Sequence, residues 1–210
     1  PAGEIVYLCP ACSTRQLPDQ PPLGVLKVIY DYKTLSESSF WELEENNFLQ
    51  LLPVNDAKSF PNLRVGQTPL YEINSLDGQV NDFKLYLKDD SQNPTFSFKD
   101  RASAVVSAFA KENGIDTIVA ASTGNAGSSL AGMCAAQGQK AVIFVPATAP
   151  KAKLTQIVMY GATLVPVAGN YDKAFDLSVE ATKRFGWYNR NTAFNPFTIE
   201  GKKTVSFELY

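Results

Sequence analysis

Between residues 102 and 185 the apolar positions switch repeatedly between two periods. Ala102, Val105, Val106 and Phe109 recur at helical spacing until Gly114 ends the run. Residues 116–121, Asp-Thr-Ile-Val-Ala-Ala, read as a short buried strand, and 126–137 as a small-residue helix closed by Gly138. The alternation continues with a strand over 141–145, a helix over 150–160, a strand over 163–167 and a helix over 171–185. Strands separated by helices of this length build a parallel α/β sheet covered on both faces. In such sheets ligands bind beyond the carboxyl ends of the strands.

Upstream the pattern is less regular. Residues 5–8 suit a strand, 18–22 form a proline-rich turn, and branched and aromatic residues over 24–32 predict a second strand. From 33 to 61 the clearest unit is one short helix within 40–52, packing Trp41, Phe48 and Leu52 inward. Thr68-Pro69 makes an extended turn, because proline disfavours the α region for the residue before it. Ile73 and residues 83–88 read as strand, with Asp77-Gly78 as the turn and Leu85 and Leu87 on one face. After Trp187-Tyr188 the chain passes through Asn195-Pro196 into a last helix at about Glu200, which ends in apolar residues that need a partner surface.

Composition narrows the chemistry. A chain of 210 residues, 45% apolar and 19% charged, can bury a sizeable core in one or two domains. Its net charge of −2 argues against a nucleic-acid surface. It has no histidine, which excludes Ser-His-Asp and Cys-His nucleophiles and histidine-ligated metals within this segment. No apolar run approaches the ~18 residues of a membrane span, and no basic region with an apolar core opens the chain. A soluble, cytoplasmic protein without a membrane partner is expected, with sequence upstream of Pro1 processed or left out. Cys9-Pro-Ala-Cys12 offers two thiolates where a structural zinc site wants four ligands, and the remaining Cys134 falls inside a helix. No complete metal site is therefore expected, no thioredoxin-like context surrounds the pair, and Cys134 reads as a small core hydrophobe.

Two stretches carry candidate chemistry. In 91–101, Ser-Gln-Asn-Pro-Thr-Phe-Ser-Phe-Lys-Asp-Arg, Lys99 falls in the first turn of a helix, with Ser97 and Asp100 spaced as a capping box. The helix dipole and the thinned hydration beside Phe96 and Phe98 favour a neutral, nucleophilic amine; the alternative is a solvated lysine with its stem over aromatic surface. In 122–127, Ser-Thr-Gly-Asn-Ala-Gly, a strand turns sharply into a helix, leaving backbone N–H groups for an anion. It lacks both nucleotide-loop patterns, and a plain glycine-rich crossover turn remains the alternative.

Taken with Gly66-Gln-Thr-Pro-Leu70 and Asn195-Pro-Phe-Thr-Ile-Glu-Gly-Lys-Lys-Thr204, these stretches resemble the fold-type II pyridoxal-phosphate enzymes (the tryptophan synthase β-like group), and within them the threonine synthases. The likeness covers residues 24–210. It implies a pyridoxal 5′-phosphate lyase that converts O-phosphohomoserine and water to threonine and phosphate, as a homodimer acting on a small amino-acid substrate. Lys99 corresponds to the lysine that carries the cofactor as a Schiff base and then moves protons, Asn125 to the asparagine on the cofactor's 3′-oxygen, and Phe98 to the residue that precedes the lysine. Ser122, Thr123, Gly124 and Ala126 correspond to the loop that receives the substrate carboxylate, and Lys153 to a lysine on the substrate phosphate. Lys88, Asp89 and Asp90 stand at a Lys-Glu-Glu/Asp run that is as much scaffold as function. Cys9 and Cys12 resemble half of a ribbon-like N-terminus.

The resemblance divides the chain into a ribbon-like segment (1–32), the first part of a large domain (33–93), a small α/β domain (94–191) and a return into the large domain (192–210), the remainder of the polypeptide supplying the cofactor-phosphate loop. One departure matters. Thr198 stands where several relatives carry a phosphate-binding arginine, and threonine cannot supply that charge. Arg190 or Lys151 is left to provide it, unless the substrate is unphosphorylated, as in a threonine/serine dehydratase. A non-catalytic binding or assembly module is the remaining alternative.

Overall fold

The computed structural model describes residues 5–17 and 20–209, except the side chain of Lys153. Pro1, Pro18 and Tyr210, which enter the sequence reading, lie outside the described residues. In chain order come helices α1 (Pro10–Ser13), α2 (Tyr32–Leu35) and α3 (Phe40–Glu45), then strands β1 (Leu70–Glu72), β2 (Ser75–Leu76), β3 (Gln79–Val80) and β4 (Tyr86–Lys88). Helix α4 (Lys99–Glu112), β5 (Thr117–Ala121), α5 (Asn125–Gln137), β6 (Lys140–Pro146), α6 (Lys151–Met159), β7 (Thr163–Val167), α7 (Tyr171–Phe185), β8 (Tyr188–Asn189) and α8 (Phe197–Phe207) follow.

The predicted alternation after residue 102 is realised as a parallel sheet of order β7-β6-β5-β8. Strand periodicity divides its side chains between two faces. Ile118 and Ala120 of β5, with Ile143 and Val145 of β6, pack against α4, α5 and α6 through Val106, Leu130, Cys134 and Ile157. Their neighbours Val119, Ala121, Val142 and Phe144 pack the other way, against Ala174 and Ala181 of α7. A fully buried isoleucine such as Ile118 or Ile143 stabilises by about 1.5–3 kcal/mol relative to exposure. Both layers are thus closed, and the carboxyl ends of β5 and β8 are left for function.

Where the pattern was weak, the structure differs. The strand expected over 24–32 reduces to one bridge, Leu8 opposite Val25, and beyond it Tyr30 donates its hydroxyl to Glu200 of α8 at 2.7 Å. The helix expected within 40–52 ends at Glu45, since Asn47 and Phe48 take left-handed φ of 50° and 53°. Phe48 then stacks on Phe207 at 4.7 Å, and Trp41, expected inward, is 71% exposed. Residues 83–88 pair only as β4, with Leu87 outward. Asp77 and Gly78, at φ 49° and 79°, do make the tight turn that joins β2 to β3. Helix α8 starts at Phe197, ahead of Glu200, with Thr198 and Asn195 satisfying its first turn.

Candidate active site

Strand β5 ends at Ala121, whose N–H is held by the Asn191 carboxamide at 2.8 Å, and the chain turns at once into α5. Helix α5 begins after Gly124 with no side-chain cap, so its leading N–H groups are available beyond the sheet edge. The two glycines of the turn have different reasons. A Cβ on Gly127 would lie 2.8 Å from the Ser122 carbonyl and 2.9 Å from Ile157, so packing demands the glycine. A Cβ on Gly124 would meet nothing within 4 Å, so the protein's own atoms do not, and the space is open to a ligand approaching the backbone.

Lys99 is the first residue of α4, after Phe98. The expected Ser97–Asp100 capping box does not form. The Asp100 carboxylate, fully buried, turns back instead to accept from the Thr95 N–H at 2.6 Å and from the Thr95 hydroxyl, while Ser97 Oγ accepts the Lys99 N–H at 3.3 Å. Thr95 in turn lies where α5 has Gly132: a Cβ there would sit 2.5 Å from Thr95 Cγ2. The close approach seats the lysine turn against α5. Phe98 places its ring centroid 5.2 Å from Lys99 Nζ, whereas Phe96 is 72% exposed at a φ of 64°, so Phe98 alone of the expected pair lies against the amine. Lys99 forms no ion pair among the described residues.

Two residues on, Arg101 is 1% exposed and anchors this turn. Its guanidinium donates to Asp90 at 2.7 and 2.8 Å, to Glu208 at 2.5 and 3.0 Å, and to the Thr204 and Thr68 hydroxyls. Lys88 adds a 2.6 Å bond to Glu208. Burial alone would raise the Glu208 carboxyl, but the bonds from Arg101 and Lys88 hold it down at about 2. Gly66, at φ 81°, passes so close that a Cβ would sit 2.6 Å from Glu208 Oε1, and Asn93 accepts its N–H at 2.8 Å. The Lys-Asp-Asp run and the glycine of 66–70 are thereby joined to the helix that begins with Lys99.

A cavity of about 340 Å³ opens at the ends of β5 and β8, lined among others by Ser122, Ala126, Tyr171, Arg190 and Thr192. The predicted loop residues Ser122 and Ala126 border it, while Thr123, Gly124 and Asn125 stand on the same turn. Arg190 is 2% exposed; Nε donates to Ser103 at 3.2 Å, and one terminal nitrogen has no partner. Burial pulls its guanidinium down to about 10, against the favourable fields of Tyr171 and Asp100. Lys202 donates to the Thr192 hydroxyl at 3.1 Å. Burial, then Arg190, then Lys99 disfavour its charge, so all three cations act on one locality. Thr198 is fully buried and donates to the Asn195 carbonyl at 2.8 Å, closed off from any ligand. Lys153 lies on α6, but its side chain is outside the described residues; Lys151 is exposed. Lys202 belongs to the 195–204 stretch that carries the resemblance but was given no role there, although it sits one helical turn beyond Thr198 and so shares its side of α8.

At the amino-terminal end, the Asn189 N–H donates to the Tyr7 hydroxyl at 2.9 Å, and the Tyr7 ring stacks on Phe194 at 4.6 Å. Gly24 packs against the Cβ atoms of both Cys9 and Cys12, and the Cys12 N–H and thiol lower the Cys9 thiol. Among the described residues no group of three or more His, Cys, Asp or Glu could hold a metal ion. Cys134 is buried in the main core, which pushes its thiol up to about 12.

A lysine opening one helix and a glycine turn opening the next, at the carboxyl edge of a parallel sheet, define the fold-type II class of pyridoxal-phosphate enzymes. The family described as pyridoxal-phosphate dependent enzyme matches residues 62–210, and the chain belongs to it. It is similar to the threonine synthase of Methanocaldococcus jannaschii, 37% identical over 98% of this chain and 50% of that protein. The threonine synthase of Methanosarcina acetivorans is 33% identical over 98% of this chain and 49% of that protein. The chain spans about half the length of the curated relatives it matches. Among solved structures, a pyridoxal 5′-phosphate-dependent aspartate racemase superposes with a TM-score of 0.58 at 28% identity, covering 68% of this chain and 45% of that one. An Escherichia coli diaminopropionate ammonia lyase, at 21% identity over 72% of this chain and 48% of that one, shares the fold with a TM-score of 0.60.

Proposed function

We propose that the chain forms the lysine-bearing half of a threonine synthase, a lyase that converts O-phosphohomoserine and water to threonine and inorganic phosphate. The observation that carries the reading is the likeness of nearly the whole chain to threonine synthases, together with a Lys99 at the start of α4 that forms no ion pair among the described residues and an uncapped glycine turn at the start of α5. The residues fit pyridoxal phosphate: Gly124 leaves room against the backbone, and among the described residues no carboxylate pairs with Lys99. When bound, that cofactor supplies an electron sink for charge developing on the substrate.

Lys99 would hold the cofactor, and its amine would move protons at Cα and Cβ of the substrate. One amine of suitable basicity serves several proton steps, so the chain's lack of histidine is no obstacle. Asn125 would donate to the cofactor's 3′-oxygen, and Phe98 keeps water from one side of the amine. Ser122, Thr123, Gly124 and Ala126 orient the substrate carboxylate with hydroxyl and N–H donors. A dehydratase acting on threonine or serine is the second reading, favoured by the buried Thr198.

Full-length protein loaded with cofactor is expected to release phosphate and threonine from O-phosphohomoserine, and its Lys99→Ala variant to release neither. Ammonia and a keto acid from threonine, without phosphate release from O-phosphohomoserine, would replace this reading with the dehydratase.

A further inference from the structure

The cavity between the glycine turn and β8 contains an electrostatic imbalance that the roles above leave unused. Arg190 is buried behind it with one terminal nitrogen unpartnered, its Nε spent on the neutral Ser103 hydroxyl. A buried guanidinium is ordinarily matched by a carboxylate or another anion. Asp100 is the carboxylate whose field reaches it, yet both Asp100 oxygens already accept from Thr95. Lys202 brings a second cation toward the same place, anchored on Thr192, which lines the cavity. Arg101 shows the contrast within the same chain: equally buried, it faces two carboxylates.

Resting on the threonine synthase reading, we propose that Arg190, supported by Lys202, forms the subsite for the substrate's phosphate group, in the cavity bordered by Ser122, Ala126, Tyr171 and Thr192. The unpartnered nitrogen supplies a charge-assisted donor to a phosphate oxygen. Lys202, partly buried at the rim, offsets the second charge of the dianion. The first N–H groups of α5, those of Asn125 and Ala126, are left for the carboxylate of the same molecule, so one substrate spans the cavity with an anion at each end. The positive charge missing from Thr198 is then supplied from a strand end, and from the helix position one turn later, with no arginine required in the first turn of α8.

The test uses the full-length, cofactor-loaded protein and inorganic phosphate as the probe, with phosphate inhibition, KM and kcat measured for O-phosphohomoserine. Binding of homoserine, which lacks the phosphate, is followed by the cofactor's absorbance. Arg190→Met is expected to weaken phosphate inhibition and raise KM by about 30-fold or more, the loss typical of one buried charged partner. Homoserine binding should stay within about twofold, because homoserine lacks the group that Arg190 contacts, and Arg190→Lys should restore part of the phosphate effect. Lys202→Met, at a less buried position, should weaken phosphate inhibition by about fivefold, a rim-charge effect, and serves if Arg190→Met fails to fold. Phosphate inhibition unchanged in both Arg190→Lys and Lys202→Met, in a protein that still releases phosphate, overturns the subsite while leaving the threonine synthase reading intact. A wild-type protein that neither turns over O-phosphohomoserine nor is inhibited by phosphate overturns the reading itself.

Discussion

Gly124 and Gly127 share one turn and answer to different partners. Gly127 is enclosed by the Ser122 carbonyl and Ile157, so an alanine there overpacks backbone that has nowhere to go. Gly127→Ala is expected to cost about 1–3 kcal/mol of stability, read from the midpoint of urea unfolding. Gly124 faces open space, so Gly124→Ala should leave that midpoint unchanged while weakening substrate binding to the loaded full-length protein. Loss of stability in both variants would mean that the turn is structural throughout. Nothing in the sequence separates these two positions, since the atoms that crowd Gly127 come from distant residues. The place of Lys99 at the start of a helix, by contrast, was legible from the spacing that follows it. Arg190 was visible only as one of several spare cations, because its unmatched burial depends on where β8 ends and on Thr95 having claimed Asp100.

The elements after residue 102 were readable because each combines a strong period with its own terminator, and the structure keeps β7 and α7 at the predicted bounds. Those before residue 90 were not, because distant partners decide them: Tyr30 is drawn to Glu200 and Phe48 to Phe207. Strand β8 is two residues long and leaves no period to read. The same dependence makes α8 the element most exposed to acid. Glu208, just past its end, has a carboxyl held at about 2 against an ordinary 4.5. A depressed carboxyl contributes stability in full above its unfolded value, and that contribution disappears as pH falls toward the folded one. Unfolding midpoints are therefore expected to drop between about pH 4.5 and 2. Glu208→Gln should flatten this part of the profile while lowering stability at neutral pH. Arg101→Ala, which strands Asp90 and Glu208 as unpaired acids, should cost about 3–5 kcal/mol at neutral pH.

Across the whole molecule, the sheet lies between two long-range ties. Tyr7 is bonded to Asn189 across 182 residues of sequence, and Arg101 to Glu208 across 107. The first fastens the amino-terminal segment to the far edge of the sheet, and the second joins the 66–68 turn, Asp90 and the end of α8 behind the lysine. Leu70, Tyr71, Tyr86 and Leu87 of the β1–β4 pair, whose Lys88 reaches the same junction, are each 46–54% exposed. Among the described residues no helix is long and apolar enough to cross a membrane. The Arg101 junction also sets an order in time. Contacts so distant in sequence form late, after local helices and turns, and this one includes the turn that presents Lys99. On the proposed role of Lys99, a chain still missing its α8 contacts has not yet fixed the turn that presents the amine. In refolding of the full-length protein, cofactor capture should appear with the slowest phase, never in the early burst of helix formation; the junction acts as a timer on reactivity.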